Sequence, residues 1–303
     1  MKKRAFTLIE LVMVIVVMGI VAMIGTNIIT HMYEGYIRSK IVNKLQADSE
    51  LILDIISKRL QYRIKDSTVT SIDGNLSSYL KLSNSNIGVN HDVLEWIGFD
   101  YEGMVGEWDG SRYSGWSGFI DLDNNKTTKN SFVTSGSNLN NAKTDIYDLS
   151  NTSVDLNSIN GGGAIVFKVS NNSSIASYGY LGSAHSSVYP VHIKTNKELA
   201  FDTPPAEVDY YEHYYLVWSA YAIAPKNIKT ININGKNIKD FDLYLYYNYQ
   251  PWQNERYSSG TKSLIAKHVT TFKFIQVGST IRVKLCLRDK TANYGFCKER
   301  AIY

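Results

Sequence analysis

The chain has 303 residues, 44% of them hydrophobic, which is long and apolar enough to bury a full hydrophobic core. Its 32 basic and 28 acidic residues give a formal net charge of +4, so a strong overall attraction to nucleic acid is not expected. The two cysteines lack an obvious supporting set of histidines, which argues against a zinc site.

The first thirty residues join a short basic segment to a long apolar one. Met1-Lys2-Lys3-Arg4 precedes Ala5, and an apolar stretch runs from Phe6 to Ile29. A helix of about 20 apolar residues crosses the ~30 Å hydrocarbon core of a bilayer, so this stretch is long enough to span a membrane. In a secretory signal peptide the cleavage site follows the apolar segment, whereas here the polar-to-apolar junction comes first.

One carboxylate, Glu10, lies inside the apolar stretch. A charged side chain near a membrane helix end costs about a few kcal/mol unless it is paired, and such residues tend to be functional. If the chain is cut between Ala5 and Phe6, the new α-amino group of Phe6 becomes a cation placed to pair with Glu10 of its own or a neighbouring chain. We therefore interpret this charge as a device for assembly.

The sequence Phe6-Thr7-Leu8-Ile9-Glu10-Leu11 resembles the class III leader junction of type IV pilins and type II secretion pseudopilins. The resemblance implies that a prepilin peptidase removes residues 1–5 and N-methylates Phe6, and that Glu10 sets the register of assembly. Ala5 departs from the family, which usually has Gly before the cut. The proline that many pilins carry in the membrane helix is also missing, because the first proline is Pro190.

An ordinary single-pass anchor with a chance glutamate is the alternative interpretation of this segment. The charges leave orientation nearly undecided, because three basic residues precede the span and Arg38, Lys40 and Lys44 follow it. The family resemblance implies that the segment lies in the inner membrane and that the rest of the chain faces the periplasm.

Helical periodicity continues beyond the span, over residues 30–65. Apolar residues recur at helical spacing with charged residues between them: Ile37, Ile41, Leu45, Ile52, Ile56, Leu60 and Ile64. A single rod from Phe6 to Lys65 would measure ~90 Å. The spacing does not keep strict heptads, so we expect this half to pack on the chain's own globular domain rather than in a coiled coil.

Residues 66–303 contain short β-branched and aromatic runs between turn residues, which indicates a β-rich domain and an α+β fold overall. Two hairpins are predicted. Asn234-Gly235 favours a type I′ turn that sets Ile231 opposite Ile238. Gly278-Ser279 favours a type II′ turn with two pairs in the core, Phe274 with Val283 and Phe272 with Leu285, while Lys273, Arg282, Lys284 and Arg288 face water.

The segment from Leu264 to Leu285 loosely resembles the C-terminal sheet of the larger minor pilins and J-type minor pseudopilins. The length of 303 residues also favours a minor role, because major subunits of the family are generally shorter. Cys286 and Cys297 follow closely, and we expect them to form a disulfide in an exported domain rather than to remain free thiols.

The middle of the domain contains three stretches whose role is open. The Trp- and Gly-rich segment 108–119 is either a binding surface for sugar or protein, or a set of core aromatics between turns, which burial tendencies favour. Asp121-x-Asp123-x-Asn125 resembles the start of a calcium loop, but the rest of an EF-hand is missing, which favours a solvated turn. The Ser-, Asn- and Thr-rich run 131–160 is predicted to be a surface loop or irregular insertion.

Nucleic acid binding and catalysis are the remaining alternatives. Removal of residues 1–5 would leave 29 basic residues against 28 acidic ones, a nearly neutral chain. A basic, tyrosine-rich patch is nevertheless conceivable from Lys226, Lys229, Lys236 and Lys239 with Tyr244, Tyr246 and Tyr247, although a solvated hairpin face is the commoner meaning. The motifs typical of serine hydrolases, zinc proteases and phosphate-binding loops are absent from the sequence.

The sequence therefore predicts a non-enzymatic minor pilin or pseudopilin that helps to initiate or cap a type IV pilus or type II secretion pseudopilus. The implied partners are other pilins, prepilin peptidase, the inner-membrane assembly platform and, before assembly, membrane lipid. No cofactor is predicted apart from the open question of calcium. A DNA- or surface-binding minor pilin and a membrane-anchored periplasmic enzyme are the alternatives.

Overall fold

The computed structural model describes residues 7–106, 115–168, 174–182, 186–205, 210–233, 235–290 and 294–303. The predicted cleavage site, Ala5 and Phe6, lies outside the described residues. So do residues 108–114 of the Trp- and Gly-rich segment and Asn234 of the first predicted turn.

The chain begins with one long helix, α1, which extends from Leu8 to Leu60 over 53 residues and measures ~80 Å. It ends five residues before the predicted Lys65. The chain turns there because Arg63 and Ile64 pair with the sheet: Arg63 bridges Gly98, and the Ile64 amide donates to the Ile97 carbonyl oxygen at 2.8 Å. Tertiary pairing therefore stops a helical pattern that the sequence continues.

The two halves of α1 have different surroundings. An 18-residue window in its first part has a mean hydropathy of 2.8, and none of that window is buried. The second part buries one face against the domain, through Leu45, Ser49, Ile52, Leu53, Ile56 and Leu60. The structure confirms that the amphipathic half packs on the chain's own globular domain.

The rest of the described chain forms an antiparallel sheet of twelve strands with two shorter helices. Nine strands follow the spatial order β12-β11-β10-β9-β8-β5-β6-β7-β4, while β3 pairs with β8 and with β1, and β1 with β2. This arrangement confirms the predicted α+β fold. The strands and helices are β1 (Val69–Ser71), β2 (Leu80–Lys81), β3 (Val93–Phe99), α2 (Tyr101–Val105), β4 (Ser131–Val133), α3 (Leu139–Leu149), β5 (Ala164–Phe167), β6 (Tyr189–Thr195), β7 (Glu198–Phe201), β8 (Tyr214–Ile233), β9 (Lys236–Tyr249), β10 (Thr261–Val277), β11 (Thr280–Arg288) and β12 (Gly295–Ile302).

Both predicted hairpins have the predicted register. Ile231 lies opposite Ile238 in the β8–β9 pair. In the β10–β11 pair the two predicted core pairs form, Phe272 with Leu285 and Phe274 with Val283. Gly278 has a φ of 61°, as the first central position of a type II′ turn requires.

One residue of the second hairpin differs from the prediction. Lys273, Arg282 and Lys284 are exposed, but Arg288 is largely buried and its guanidinium donates to Asp240 on β9 at 2.8 Å. Asp240 lies two strands away, on the far side of β10, and a buried carboxylate there is not visible in the alternation of β11, so the pattern assigns Arg288 to the solvent.

The prediction of a loop over residues 131–160 is wrong. The segment contains β4, which pairs with β7, and the eleven-residue helix α3. Leu139, Ala142 and Ile146 of α3 are fully buried in an apolar cluster that also contains Trp116 and Phe132. Their helical spacing of three and four residues is hidden by the polar residues around them.

Trp116 belongs to the core, as the burial argument favours. Its side chain is fully buried and its indole N–H donates to the Asp100 carboxylate at 3.0 Å. Phe119 is more exposed, at 38%, and lies against His213. Within residues 115–119 of this segment, Trp116 is therefore a core residue and not part of a binding surface.

Candidate functional site on the N-terminal helix

Glu10 closes the first turn of α1 with Thr7. The backbone N–H and the hydroxyl of Thr7 both donate to Glu10 Oε2, at 3.0 and 2.9 Å, and the Glu10 N–H donates to Thr7 Oγ1 at 3.4 Å. This is a capping box, in which the first and fourth residues satisfy each other's free groups. The Thr-x-x-Glu spacing signalled it, but the sequence argument considered only a partner cation for Glu10.

The carboxylate and its surroundings are open. Leu8 and Ile9 are 82% and 70% exposed, and no residue of α1 from Leu8 to Thr26 is buried. Apolar side chains exposed along a whole helix need a membrane or other chains around them. The first half of α1 is therefore a surface for lipid or for neighbouring helices, with Glu10 at its end.

The second half of α1 is held to the last strand of the sheet by ion pairs as well as by apolar contacts. Arg300 on β12 donates to Asp54 at 2.8 Å and approaches Glu50 at 3.4 Å, and Lys298 also pairs with Glu50. Arg38 lies over the ring of Tyr294, 5.7 Å from its centre. Strand β12 thus fixes the place at which the exposed, apolar first half of α1 leaves the domain.

The comparisons with known proteins bear on this helix. Residues 1–26 match the family model described as the prokaryotic N-terminal methylation motif. The chain carries a class III prepilin leader. This finding is consistent with the type IV pilins and pseudopilins that the leader junction resembles. No curated protein and no solved structure matches the chain.

The prepilin leader and the exposed helix fit a membrane-anchored protein with a single span. They also support processing of the pilin type and assembly with other pilins in general. The match ends at residue 26, within the span, and does not extend to the β-rich domain.

The domain ties the end of α1 to the end of the chain through Arg63. This side chain is only 6% exposed, and its guanidinium donates to three backbone oxygens, those of Leu60, Ser279 and Tyr303. Burial lowers the pKa of the Arg63 guanidinium. Sequence reasoning missed this residue, because nothing local distinguishes it from the basic residues around it.

The predicted disulfide is present. Cys286 of β11 and Cys297 of β12 are directly opposite each other, with their Cα atoms 4.0 Å apart. The bond joins the strand that packs on α1 to its neighbour. It therefore reinforces the part of the sheet that carries the helix.

The three residues considered as calcium ligands lie in different surroundings. Asp121 accepts hydrogen bonds from Ser135 at 3.1 Å and from Asn124 at 3.5 Å, whereas Asp123 and Asn125 are exposed. Within the described ranges, no group of three or more His, Cys, Asp or Glu residues is placed to hold a metal ion. The segment forms a turn whose one partly buried carboxylate is occupied by hydrogen bonds.

The lysines and tyrosines considered for nucleic acid do not form one patch. Lys226 pairs with Asp73 at 3.1 Å. In the β8–β9 register Lys229 lies opposite Asp240, so these two side chains share one face of the hairpin. Lys239 directly precedes Asp240 in β9 and therefore lies on the other face. Tyr246 is only 4% exposed and packs against Tyr257. These lysine and tyrosine side chains therefore do not all face solvent on the same side of the domain.

Two buried carboxylates stabilise the domain around β3. Glu95 is 1% exposed and accepts hydrogen bonds from the hydroxyls of Tyr79 at 2.6 Å and Tyr249 at 3.1 Å. Asp100 accepts from the indole N–H groups of Trp116 and Trp218. Burial raises the pKa of each carboxyl to about 7. Since neither lies in the exposed helix, we interpret both as internal supports.

Proposed function

We propose that the chain is a structural subunit of a type IV pilus or a type II secretion pseudopilus, a minor pilin or pseudopilin that helps to initiate or cap the filament. The observation that supports this most directly is the division of α1. Its second half is docked on the domain, and its first half leaves the domain bare, apolar and carrying a prepilin leader.

The proposed route begins in the inner membrane. Prepilin peptidase cuts after Ala5 and methylates the new amino terminus at Phe6, and the assembly platform transfers the subunit from lipid into the filament. The β-rich domain lies in the periplasm, an assignment supported by the disulfide, since disulfides persist in oxidising compartments.

Glu10 acts in this proposal as the register residue. In the filament its carboxylate accepts a charge-assisted hydrogen bond from the α-amino group of Phe6 of a neighbouring subunit. The capping box supports the role in two ways. The capping box supplies hydrogen-bond donors to the Glu10 carboxylate while the subunit is in the membrane, before assembly. It also holds the Glu10 side chain at a fixed place on the first turn of α1.

The proposal includes no catalytic activity for this chain. The β-rich domain serves as the part that packs at the filament end and presents a surface outward. Its size beyond α1 accords with a specialised subunit rather than with the main building block of a filament.

The test is the intact mass and amino-terminal residue of the protein isolated from its native membrane, with its recovery in sheared filaments. We expect methylated Phe6 and co-purification with other pilins. Glu10→Ala should abolish incorporation without unfolding the domain, whereas Asp66→Ala, outside the helix, should leave incorporation unchanged. A chain that keeps Met1, or normal incorporation of Glu10→Ala, would contradict the proposal.

A further inference from the structure

Strands β9 and β10 are paired along only part of their lengths. Within the described residues, their pairing ends where Val269 lies opposite Phe241. Beyond that point β10 stays paired with β11 as far as its turn, and β9 stays paired with β8 as far as its own turn. The sheet is therefore split at one end into two hairpins, which we call the β8–β9 arm (residues 229–240) and the β10–β11 arm (residues 270–288).

The split begins at an irregularity in β10. The β9–β10 register shifts twice, between Leu264 and Ala266 and between Ala266 and Val269. His268, within the second shift, has a φ of 55°, which a residue with a side chain rarely adopts inside a strand. A bulge bends the strand that carries it, so β10 turns away from β9 here. The His268 ring lies 3.4 Å from the Asp240 carboxylate of β9, and this contact ties the two strands together where the split begins.

Backbone groups without a strand partner face the split from both sides. In a two-residue hairpin the residues that close the turn exchange both hydrogen bonds, and the pattern then alternates along the strands. Val277 and Thr280 close the turn of one arm, and Ile233 and Lys236 close the turn of the other. Every second residue therefore points its backbone groups into the split: Phe272, Phe274 and Gln276 on β10, and Asn237 and Lys239 on β9.

The disulfide supports this assignment for β10. Cys286 and Cys297 lie opposite each other with their Cα atoms 4.0 Å apart, which fits a pair that exchanges no backbone hydrogen bonds. The backbone groups of Cys286 therefore face β10, where Thr271 lies opposite. Thr271 and every second residue after it face β11, so the residues between them face the split.

A cavity of about 270 Å³ lies between the two arms, next to the point at which they part. Two largely buried phenylalanines line it, Phe241 of β9 and Phe272 of β10. Val89 and Ile228 also line it and are 81% and 52% exposed. Apolar side chains thus lie between two strand edges whose backbone groups are unpaired, which is the combination that an added strand requires.

We propose that the split accepts an extended segment of another protein, which inserts between β9 and β10 and completes the sheet. Residues 236–240 and 270–277 border the split, and they measure about 17 Å and about 27 Å at 3.4 Å per residue. A strand of about five residues can therefore pair on both sides. Because β9 and β10 run in opposite directions, the added strand is parallel to one and antiparallel to the other.

The charge of the arms determines the chemistry of the added segment. Residues 229–240 contain three lysines and one aspartate, and residues 270–288 contain four basic residues and no acidic one. Lys239 and Lys273 line the cavity and are exposed, and neither forms an ion pair within the described chain. Asp92, the acidic residue of the lining, accepts a hydrogen bond from the Asp73 N–H at 3.2 Å. The partner segment therefore carries carboxylates.

Apolar side chains alternate with those carboxylates in the proposed segment. Successive side chains of a strand point to opposite faces of the sheet. On one face the added strand meets Phe272 and Phe274, which belong to the core beneath α1, and on the other it meets the exposed Lys273. The inference concerns the β-rich domain alone and does not rest on the proposed function.

The first test uses the full chain in detergent and a fluorescent nine-residue peptide of alternating glutamate and valine. We expect saturable binding by fluorescence polarisation, and slower hydrogen–deuterium exchange of residues 236–240 and 270–277 when the peptide is bound. Strand β12 is the control, because it ends the strand order and also has a free edge. Its exchange should not change.

The second test removes one backbone donor. Gln276→Pro deletes an N–H that faces the split, whereas Gln276→Ala keeps it, and both variants lose the side-chain hydrogen bond to Gly278. Gln276→Pro should weaken peptide binding about fivefold relative to Gln276→Ala, as the loss of one hydrogen bond predicts. Lys239→Glu, at an exposed position, leaves the backbone intact. It should weaken binding of the glutamate peptide and favour a peptide of alternating lysine and valine.

Four results would overturn the inference. They are a lack of saturable binding at millimolar peptide, slower exchange in β12 equal to that in the arms, equal binding by the two Gln276 variants, and equal binding of a peptide N-methylated at alternate amides. Single-stranded DNA that binds more tightly than the peptide, and equally to both Gln276 variants, would instead assign the arms to a polyanion surface. None of these measurements depends on recovery of the chain in filaments, so the proposed function is tested separately.

Discussion

Arg63 donates from Nη2 to the backbone oxygen of Ser279 at 2.8 Å, although the two residues are 216 positions apart. The same guanidinium contacts the backbone oxygens of Leu60, the last residue of α1, and of Tyr303. One buried side chain therefore joins the end of the helix, the β10–β11 turn and the last strand. The direction in which α1 leaves the domain depends on this junction.

Arg63→Ala should lower the free energy of unfolding by about 3 kcal/mol, because it removes charge-assisted hydrogen bonds and leaves buried carbonyl oxygens without donors. Urea titration of the detergent-solubilised chain measures the change. Arg59→Ala is the control, since Arg59 is 47% exposed and its pair with Glu102 spans 3.8 Å, so its loss should cost less than about 1 kcal/mol. Equal effects of the two variants would show that Arg63 does not hold the junction.

Docking of α1 predicts a second contrast, between two leucines on one turn. Leu53 is fully buried and Leu51 is 61% exposed. Leu53→Ala should destabilise the chain by about 2–5 kcal/mol through lost burial and a residual cavity, whereas Leu51→Ala should have an effect near zero. Thermal or urea unfolding monitored by circular dichroism distinguishes them. A stable Leu53→Ala variant would mean that the helix is not packed as the structure has it.

Loss of the disulfide should weaken the same part of the sheet. Replacing both Cys286 and Cys297 by Ser should lower the free energy of unfolding by about 3 kcal/mol on the chain-entropy account for a short loop. Reductant added to the unmodified chain should reproduce the loss, and should have no further effect on the double variant. An unfolding midpoint that does not respond to reductant would contradict a stabilising bond.

Stability should fall as the pH rises from about 4.5 to 7. Burial raises the pKa of both Glu95 and Asp100 to about 7, above the ordinary values of 4.5 and 3.8. In this range the folded chain holds protons that the unfolded chain has released. The stabilisation is therefore complete at low pH, decreases through the window and is lost above about 7.

Urea midpoints at several pH values between 5 and 8 measure this dependence. Glu95→Gln should flatten the decline, because the amide cannot ionise and can still accept a hydrogen bond from a tyrosine. Glu212→Gln, a change at an exposed position, should leave the decline as it is. A steeper decline in Glu95→Gln than in the unmodified chain would refute the assignment.

Much of the fold could be predicted where the signal is local and periodic. The span from Phe6 to Ile29, the amphipathic continuation and the hairpin registers rest on helical spacing, alternation and turn residues, which act over a few positions. The failures have the opposite character. The end of α1 and the burial of Arg288 depend on partners far along the chain, and the apolar spacing of α3 is hidden among polar residues.

The candidate site divides in the same way. The sequence alone determined that Glu10 lies in an apolar helix that follows a prepilin leader, because hydropathy and a short motif depend only on residues close together in the chain. Only the tertiary structure decided where that helix leaves the domain, because Arg63, Arg300 and the disulfide act across more than 200 residues or between strands that the fold brings together. Long-range packing selects among partners that local sequence leaves equivalent, and the free energy of burial and pairing is available only once the chain has folded.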